Sequence, residues 1–206
     1  LQTIQNALFL LKDELKSSED GLQTLSIISS EADRMGALLD QLRSTYRPVQ
    51  TEEFKPVQIN GIIQDVQTLI STHLRHKGIN FVCQLDPDLP VIQGIADHIK
   101  QVTLNLFMNA VEAMPAGGNL LVETRGSPAK DEIMFSVRDT GVGIDPDLLS
   151  RIFEPFVTNK EAGTGLGLTI THEIIQQHHG EILAENCHDG GAKFTIRFPA
   201  WKGDGR

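Results

Sequence analysis

A mostly apolar stretch from about 96 to 114 places the strongest constraint on the fold of this chain. Its length and composition predict a helix that is buried nearly all round. Its polar residues step by four, four and three positions and therefore form one stripe: Gln101, Asn105, Asn109 and Glu112. A buried helix with such a stripe needs a polar group opposite it, unless the stripe faces solvent. The helix alone leaves both interpretations open.

Two glycine-rich blocks after this helix favour a polar ligand. The block Asp139-Thr-Gly-Val-Gly143 follows a predicted strand and combines an anionic acceptor with backbone that can approach a flat ring closely. The block Gly163-Thr-Gly-Leu-Gly167-Leu opens a predicted helix, whose free N–H groups suit phosphate. Side-chain oxygens of the two asparagines suit a hard cation. Together the three blocks predict a site for a magnesium nucleotide, although Asp-x-Gly alone is also common in turns.

The blocks resemble those of the GHKL ATPase superfamily and, within it, of the sensor histidine kinases of two-component signalling. Four sequences carry the resemblance: Gln101 to Ala113 resembles the N box, Asp139 to Ile144 the G1 box, Phe153-Glu-Pro-Phe156 the F box, and Gly163 to Leu168 the G2 box. Gly190-Gly191 before Phe194 is similar to the last glycine box. The resemblance covers about residues 55–200, and the Phe-Glu-Pro-Phe sequence favours the kinases over other members.

The resemblance implies a role for each block. Asn109 is then the magnesium ligand, Asn105 lies beside the phosphates, and Asp139 accepts a hydrogen bond from the adenine amino group. Asn105 stands where the gyrase-like and chaperone-like members carry a glutamate that activates water, and an amide cannot act as a general base. Transfer to a protein nucleophile is therefore favoured over hydrolysis. Many kinases of the family carry a basic residue near the position of Glu112, so this carboxylate is a departure from the family pattern.

The segment from Phe153 to Gly165 is interpreted as a lid over the nucleotide. Its two phenylalanines are either simple core residues or anchors of the lid, and the resemblance favours anchors. Lys160 is its only lysine and is either a phosphate contact or a solvated loop residue. The catalytic candidates are Asn105 and Lys160. The expected ligands of the site are ATP and Mg²⁺, and the resemblance implies these binding residues: Asn105, Asn109, Asp139, Gly141, Gly143, Ile144, Phe156, Thr158, Lys160, Gly163, Thr164, Gly165, Leu166, Gly167 and Leu168.

Residues 1–47 carry two heptad seams separated by Ser17-Ser-Glu-Asp-Gly21 and predict an antiparallel helical hairpin. Pairing two hairpins would give a four-helix bundle and a homodimer. The alternative is a hairpin packed on its own neighbouring domain. A linker at 48–55, an ATP-binding catalytic domain at 56–200 and a tail at 201–206 complete the predicted organisation.

The pattern within residues 56–200 predicts an α+β fold. Helices are expected at 60–76, 96–114 and 165–179, and strands at 81–85, 119–125, 131–138, 181–186 and 192–198. Consecutive strands joined by glycine turns predict a mixed, mainly antiparallel sheet with helices on one face. The resemblance identifies this two-layer α/β sandwich with the GHKL, or Bergerat, ATP-binding fold.

The net charge and the distribution of apolar residues limit the kinds of partner that this chain can bind. A net charge of −9 and a pI near 5.2 argue against nucleic acid or an anionic membrane. No apolar run approaches the roughly 20 residues that span a bilayer, so this piece is not expected to be membrane-embedded. We expect a cytoplasmic location, with any anchor upstream. Cys83 and Cys187 are expected to be buried free thiols in strands.

None of the seven histidines lies in a phosphoacceptor pattern. The family's acceptor precedes an Asn-Pro-Leu sequence, and Leu1-Gln-Thr-Ile4 resembles the continuation, so we expect the acceptor upstream and no autophosphorylation of this chain. His178 and His179 are expected as cations at a helix end. The implied partner is a response-regulator receiver domain. The alternatives are an ATP-driven conformational clamp, an anti-sigma-type serine kinase, and a pseudokinase scaffold.

Overall fold

The computed structural model describes residues 53–127, 131–160 and 163–202. The hairpin predicted at 1–47 and most of the predicted linker and tail lie outside the described residues. The elements follow the chain in this order: β1 (Lys55–Val57), α1 (Ile59–His76), β2 (Ile79–Gln84), β3 (Ile92–Gly94), α2 (Ala96–Ala113), β4 (Gly118–Ser127), β5 (Glu132–Asp139), α3 (Pro146–Leu149), α4 (Gly167–Gln177), β6 (Glu181–Asn186) and β7 (Ala192–Pro199).

The main sheet has five strands in the order β2-β4-β5-β7-β6. β2 and β4 run parallel, and the other three pairs are antiparallel. β1 and β3 form a separate antiparallel pair. The predicted mixed, mainly antiparallel sheet is confirmed, and with it the α+β class.

The core lies between the sheet and the helices. Alternate residues of the central strands are buried, as the period of two requires, and they include Val122, Phe135 and Ile196. The helices α1 and α2 pack on each other, and α2 also packs on α4. α2 is thus the central helix of its layer, and its neighbours determine what its polar stripe contacts.

α2 shows why the sequence predicted a buried helix. Its fully buried side chains step by three and four positions and share one broad face, and most of the other positions are half-buried. The buried face consists of Ile99, Val102, Thr103, Leu106, Phe107, Ala110 and Val111. On the predicted stripe, Gln101, Asn105 and Asn109 are half-buried and Glu112 is exposed. The helix ends at Ala113, and Pro115 follows one residue after the C-cap, where a helix cannot easily continue.

Several short elements were not predicted from the sequence. β1 and β3 have three residues each and α3 has four, which is too short for a periodic pattern. Lys55, at the end of the predicted linker, is the first residue of β1 and pairs with Gly94. The expectation of buried cysteines is wrong: Cys83 is exposed on the edge strand β2, and Cys187 is half-buried just after β6. Within the described ranges, no helix is long and apolar enough to span a bilayer.

Candidate nucleotide-binding site

Asn105 connects α2 to the start of α4. Its Nδ2 donates a hydrogen bond of 2.7 Å to Thr171 Oγ1. On its other side Gly167 lies so close that an added Cβ would stand 2.6 Å from Asn105 Oδ1. Only glycine fits at that position without displacing the amide. The first asparagine of the stripe therefore faces the N-terminal end of α4, where free backbone N–H groups favour an anion.

Asn109 and Glu112 lie one turn further along α2 and share a cation. Lys160 Nζ donates to Asn109 Oδ1 at 3.0 Å and contacts Glu112 Oε2 at 2.5 Å. An amide oxygen and a carboxylate oxygen on one helix face are the ligand types that Mg²⁺ accepts. The Lys160 ammonium occupies the place of a metal cation at these two oxygens. The residues present therefore fit a magnesium site.

Asp139 is the last residue of β5 and is only 3% exposed. Its Oδ1 accepts hydrogen bonds from the backbone N–H of Gly141 at 2.8 Å and of Ala192 at 3.3 Å. Burial raises the pKa of this carboxyl, while these two backbone N–H groups and Arg138 act in the opposite direction. Both bonds occupy Oδ1, which leaves Oδ2 as the oxygen that a ligand donor can use.

The loop after Asp139 packs directly on the end of α2. A Cβ on Gly141 would stand 2.3 Å from the carbonyl oxygen of Ala113, and the N–H of Val142 donates to that same oxygen at 3.2 Å. Gly143 has a φ of +76°, which side chains rarely adopt. The glycines of this block are therefore required by a close approach and by a left-handed turn.

Asn186 fixes the same loop from the other side and was missed by sequence reasoning. Its Oδ1 accepts from the N–H of Ile144 at 2.7 Å, and its Nδ2 donates to the Ile144 carbonyl at 2.7 Å. A single asparagine at the end of β6 gives no motif from which this role could be found. Gly191, from the predicted last glycine box, lies against the Asp139 backbone, since an added Cβ would stand 2.1 Å from its carbonyl oxygen.

The predicted lid is tied to the second glycine block. The N–H of Phe156 donates to the Gly165 carbonyl at 3.1 Å, and both residues have positive φ angles. Phe153 is half-buried and stacks on His172, with ring centroids 5.3 Å apart. Phe156 is 75% exposed, so the expected pair of anchors is one anchor, Phe153, and one exposed ring.

The remaining candidates of the lid and of α4 form local turns. Thr158 Oγ1 accepts from the Lys160 N–H at 3.1 Å, and a Cβ on Gly163 would meet that oxygen at 2.5 Å. Thr164 Oγ1 accepts from the Leu166 N–H at 3.3 Å. Leu168 is half-buried and packs on the core. These contacts shape the backbone at residues 158–160 and from Gly163 to the start of α4.

His178 is not the exposed cation that its position at a helix end predicted. It is buried, its Nδ1 is 2.7 Å from the Ile174 carbonyl, and its Nε2 accepts the Ile95 N–H at 3.0 Å. Because Nε2 accepts, the ring is neutral with its proton on Nδ1, and burial lowers its pKa. A cleft of about 290 Å³ beside it, lined among others by Phe54 and Trp201, includes none of the predicted site residues.

The site gathers three predicted blocks around one helix. Asn105 contacts the start of α4, Asn109 contacts the lid through Lys160, and Ala113 contacts the loop after Asp139. A half-buried polar stripe, a buried carboxylate and a helix N-terminus thus lie around one helix, an arrangement that suits a nucleotide. Residues 94–202 match the family described as the histidine kinase-, DNA gyrase B- and HSP90-like ATPases, and the chain belongs to this family.

Curated relatives and solved structures agree with this assignment. The chain is 33% identical over 187 residues to sporulation kinase E of Bacillus subtilis (strain 168), a match that covers 90% of this chain and 25% of that protein. It is 34% identical over 175 residues to the signal transduction histidine-protein kinase AtoS of Escherichia coli (strain K12), covering 85% of this chain and 28% of the relative. The chain thus spans about a quarter of the length of these two relatives.

Among solved structures, a nucleotide-free catalytic domain of the histidine kinase ThkA matches with a TM-score of 0.66 and 33% identity, over 72% of this chain and 98% of that one. The complex of ThkA with the response regulator protein TrrA matches with a TM-score of 0.75 and 26% identity, over 98% of this chain and 58% of that one. Both similarities are to kinase structures, which agrees with the resemblance seen in the sequence.

Proposed function

We propose that this chain is the ATP-binding catalytic part of a sensor histidine kinase. The γ-phosphoryl group of MgATP is transferred to a histidine and then relayed to an aspartate of a response-regulator receiver domain. The observation that carries the proposal is the gathering of the asparagine stripe, Asp139 and the start of α4 around one helix. The relatives' names as histidine kinases and the structure of ThkA with a response regulator support it.

Each group has a defined task in binding. Asp139 Oδ2 accepts a hydrogen bond from the adenine amino group, while Gly141 and Gly143 let the ring approach the backbone. Asn109 is the metal ligand, and the start of α4, beside Asn105, receives the phosphates. Bound Mg²⁺ neutralises phosphate charge and helps to orient the γ-phosphoryl group.

The same residues favour transfer over hydrolysis. Asn105 is held by Thr171 and, being an amide, cannot take a proton from water. Glu112, the nearest carboxylate on the stripe, is paired with Lys160. Catalysis then consists of positioning the γ-phosphoryl group and neutralising its charge, with Asn105 and Lys160 near the phosphates.

The proposal extends to the partners of the chain. The two heptad seams support a homodimer through residues 1–47. The receiver domain of a response regulator accepts the phosphoryl group, and the seven histidines here include no proposed acceptor. A cytoplasmic location follows from this role.

Calorimetric titration with ATP and GTP in the presence of Mg²⁺ tests the proposal. Asp139→Asn keeps the size of the side chain, and the backbone N–H groups of Gly141 and Ala192 hold the amide oxygen on the Oδ1 side. The amide NH₂ then faces the adenine amino group, donor against donor, and we expect ATP affinity to fall by about tenfold or more.

Asp88→Asn is the matched control, because Asp88 is exposed in the loop between β2 and β3. It should bind ATP like the unmodified chain. Equal ATP affinity for the Asp139 variant, or equal affinity of the unmodified chain for GTP, would overturn the adenine assignment.

A further inference from the structure

Lys160 occupies the place that the proposed function gives to a metal ion. Its ammonium contacts the amide oxygen of Asn109, the proposed magnesium ligand, and the carboxylate of Glu112. Nothing in the sequence predicted this pairing, since Glu112 and Lys160 are 48 residues apart. The contact brings the only lysine of the lid segment onto the polar stripe of α2.

Glu112 is the group that makes this contact favourable. An amide oxygen alone attracts an ammonium weakly, whereas a carboxylate pairs with it through charge as well as hydrogen bonding. The side chains of Lys160 and Glu112 are 39% and 51% exposed, so water weakens the pair without removing it. Glu112 stands on the stripe one turn beyond Asn109, so both side chains reach Lys160.

We propose that Glu112 is a positioning residue that holds the Lys160 ammonium at the metal position, so that Mg²⁺ and Lys160 compete for the same oxygens. The inference rests on the proposed function, because it takes Asn109 as the metal ligand. A divalent cation displaces the monovalent ammonium, and Lys160 is released toward the phosphates. Without the metal, Lys160 stays on Glu112 and contributes little to nucleotide binding.

Glu112 therefore makes ATP binding depend on the metal. With Mg²⁺ bound, the carboxylate faces a cation and Lys160 is available to the phosphates. Without Mg²⁺, the carboxylate keeps Lys160 from the phosphates. The site discriminates against metal-free ATP through a residue that need not touch the nucleotide.

A double-mutant cycle tests the proposal, because only coupled residues give non-additive effects. ATP affinity is measured by calorimetry for the unmodified chain, Glu112→Gln, Lys160→Met and the double variant, once with Mg²⁺ and once with EDTA. In EDTA, Lys160→Met should change affinity little when Glu112 is present and lower it about two- to fivefold in the Glu112→Gln background. With Mg²⁺, Lys160→Met should have the same effect in both backgrounds.

Glu154→Gln is the matched control. Glu154 lies on the same segment and pairs with Arg151, so the variant removes one negative charge there without touching Lys160. It should show no coupling to Lys160→Met in either condition. AMP, which lacks the outer phosphates, should bind all variants equally, and circular dichroism checks that each variant is folded.

The outcomes separate the inference from the proposed function. Additive effects in EDTA would overturn the inference. They would mean that Glu112 only repels the phosphates of ATP and does not change the contribution of Lys160 to binding. Coupling of equal size with and without Mg²⁺ would also overturn it, because the metal would then not displace Lys160. An unmodified chain that binds no ATP even with Mg²⁺ would instead overturn the proposed function.

Discussion

At the scale of single residues, His178 shows how burial turns a histidine at a helix end from a cation into a neutral, hydrogen-bonded ring. A histidine at the end of a helix normally stabilises the helix dipole as a cation. Here both ring nitrogens are used, one toward Ile174 and one toward the Ile95 N–H at the start of α2. The neutral ring joins α4 to α2 and packs against Phe54, His98 and Phe198. The charged form would lose the Ile95 bond.

The neutral state of His178 predicts that the protein loses stability on acidification. Burial lowers the folded-state pKa below the ordinary value of 6.5, with further lowering from His98 and His179 and partial opposition from the Ile174 carbonyl. Above pH 6.5 the ring is neutral in both states. As the pH falls through 6.5, the unfolded state binds the proton first, so the unfolding free energy decreases until the folded ring also titrates.

Thermal unfolding between pH 8 and pH 5 measures this effect. His178→Leu should be less stable at pH 8 by about 1–3 kcal/mol, because the Ile95 N–H loses its partner. It should also lose less stability than the unmodified chain on acidification. His73→Gln, which changes an exposed histidine of α1, should keep the original pH dependence. Parallel pH profiles for the unmodified chain and His178→Leu would show that His178 does not cause the loss.

At the scale of elements, the joint between α2 and α4 depends on the absence of a side chain at Gly167. Gly167→Ala places a Cβ 2.6 Å from Asn105 Oδ1 and must push the amide away from Thr171. Alanine is otherwise the better helix former by up to about 1 kcal/mol. Stability should therefore change little, whereas ATP affinity should fall several-fold because Asn105 and the start of α4 separate.

Gly61→Ala gives the comparison for this prediction. Gly61 lies in α1, and an added Cβ would meet nothing within 4 Å. The substitution should raise the unfolding free energy by up to about 1 kcal/mol and leave ATP binding unchanged. Calorimetry and thermal unfolding on both variants check the pair. Unchanged ATP affinity for Gly167→Ala would mean that the contact with Asn105 does not shape the site.

The longer elements and the glycine blocks could be predicted because their signals are local. α2 was predicted at 96–114 and ends at Ala113, and β6 was predicted at 181–186 and has those bounds. The roles of Asn186, His178 and the Lys160–Glu112 pair could not be predicted. Each depends on residues far apart in sequence that only the sheet order and helix packing bring together.

At the scale of the whole molecule, the described residues hold a hydrophobic core and the residues proposed to bind the nucleotide. The hydrophobic cluster extends from Val57 to Phe198 and includes side chains of every long helix and strand described. The candidate site, from Asn105 to Asn186, lies within the same residues. We therefore expect a chain without residues 1–47 to bind ATP, and we assign the heptad seams of that segment a separate use.

The seams predict that the chain forms a homodimer through residues 1–47. Leu1, Ile4, Leu8, Leu11 and Leu15 repeat at steps of three and four, and Leu25 to Leu42 carry a second seam of the same kind. One hairpin buries these seams poorly, whereas two hairpins bury them in a four-helix bundle.

Light scattering should therefore show a dimer for residues 1–206 and a monomer for a chain that begins at Phe54. The dimer should weaken on dilution, because association depends on protomer concentration. ATP affinity should be the same for both chains, since every proposed binding residue lies after Phe54. A monomer at all concentrations for residues 1–206 would favour a hairpin packed on its own domain.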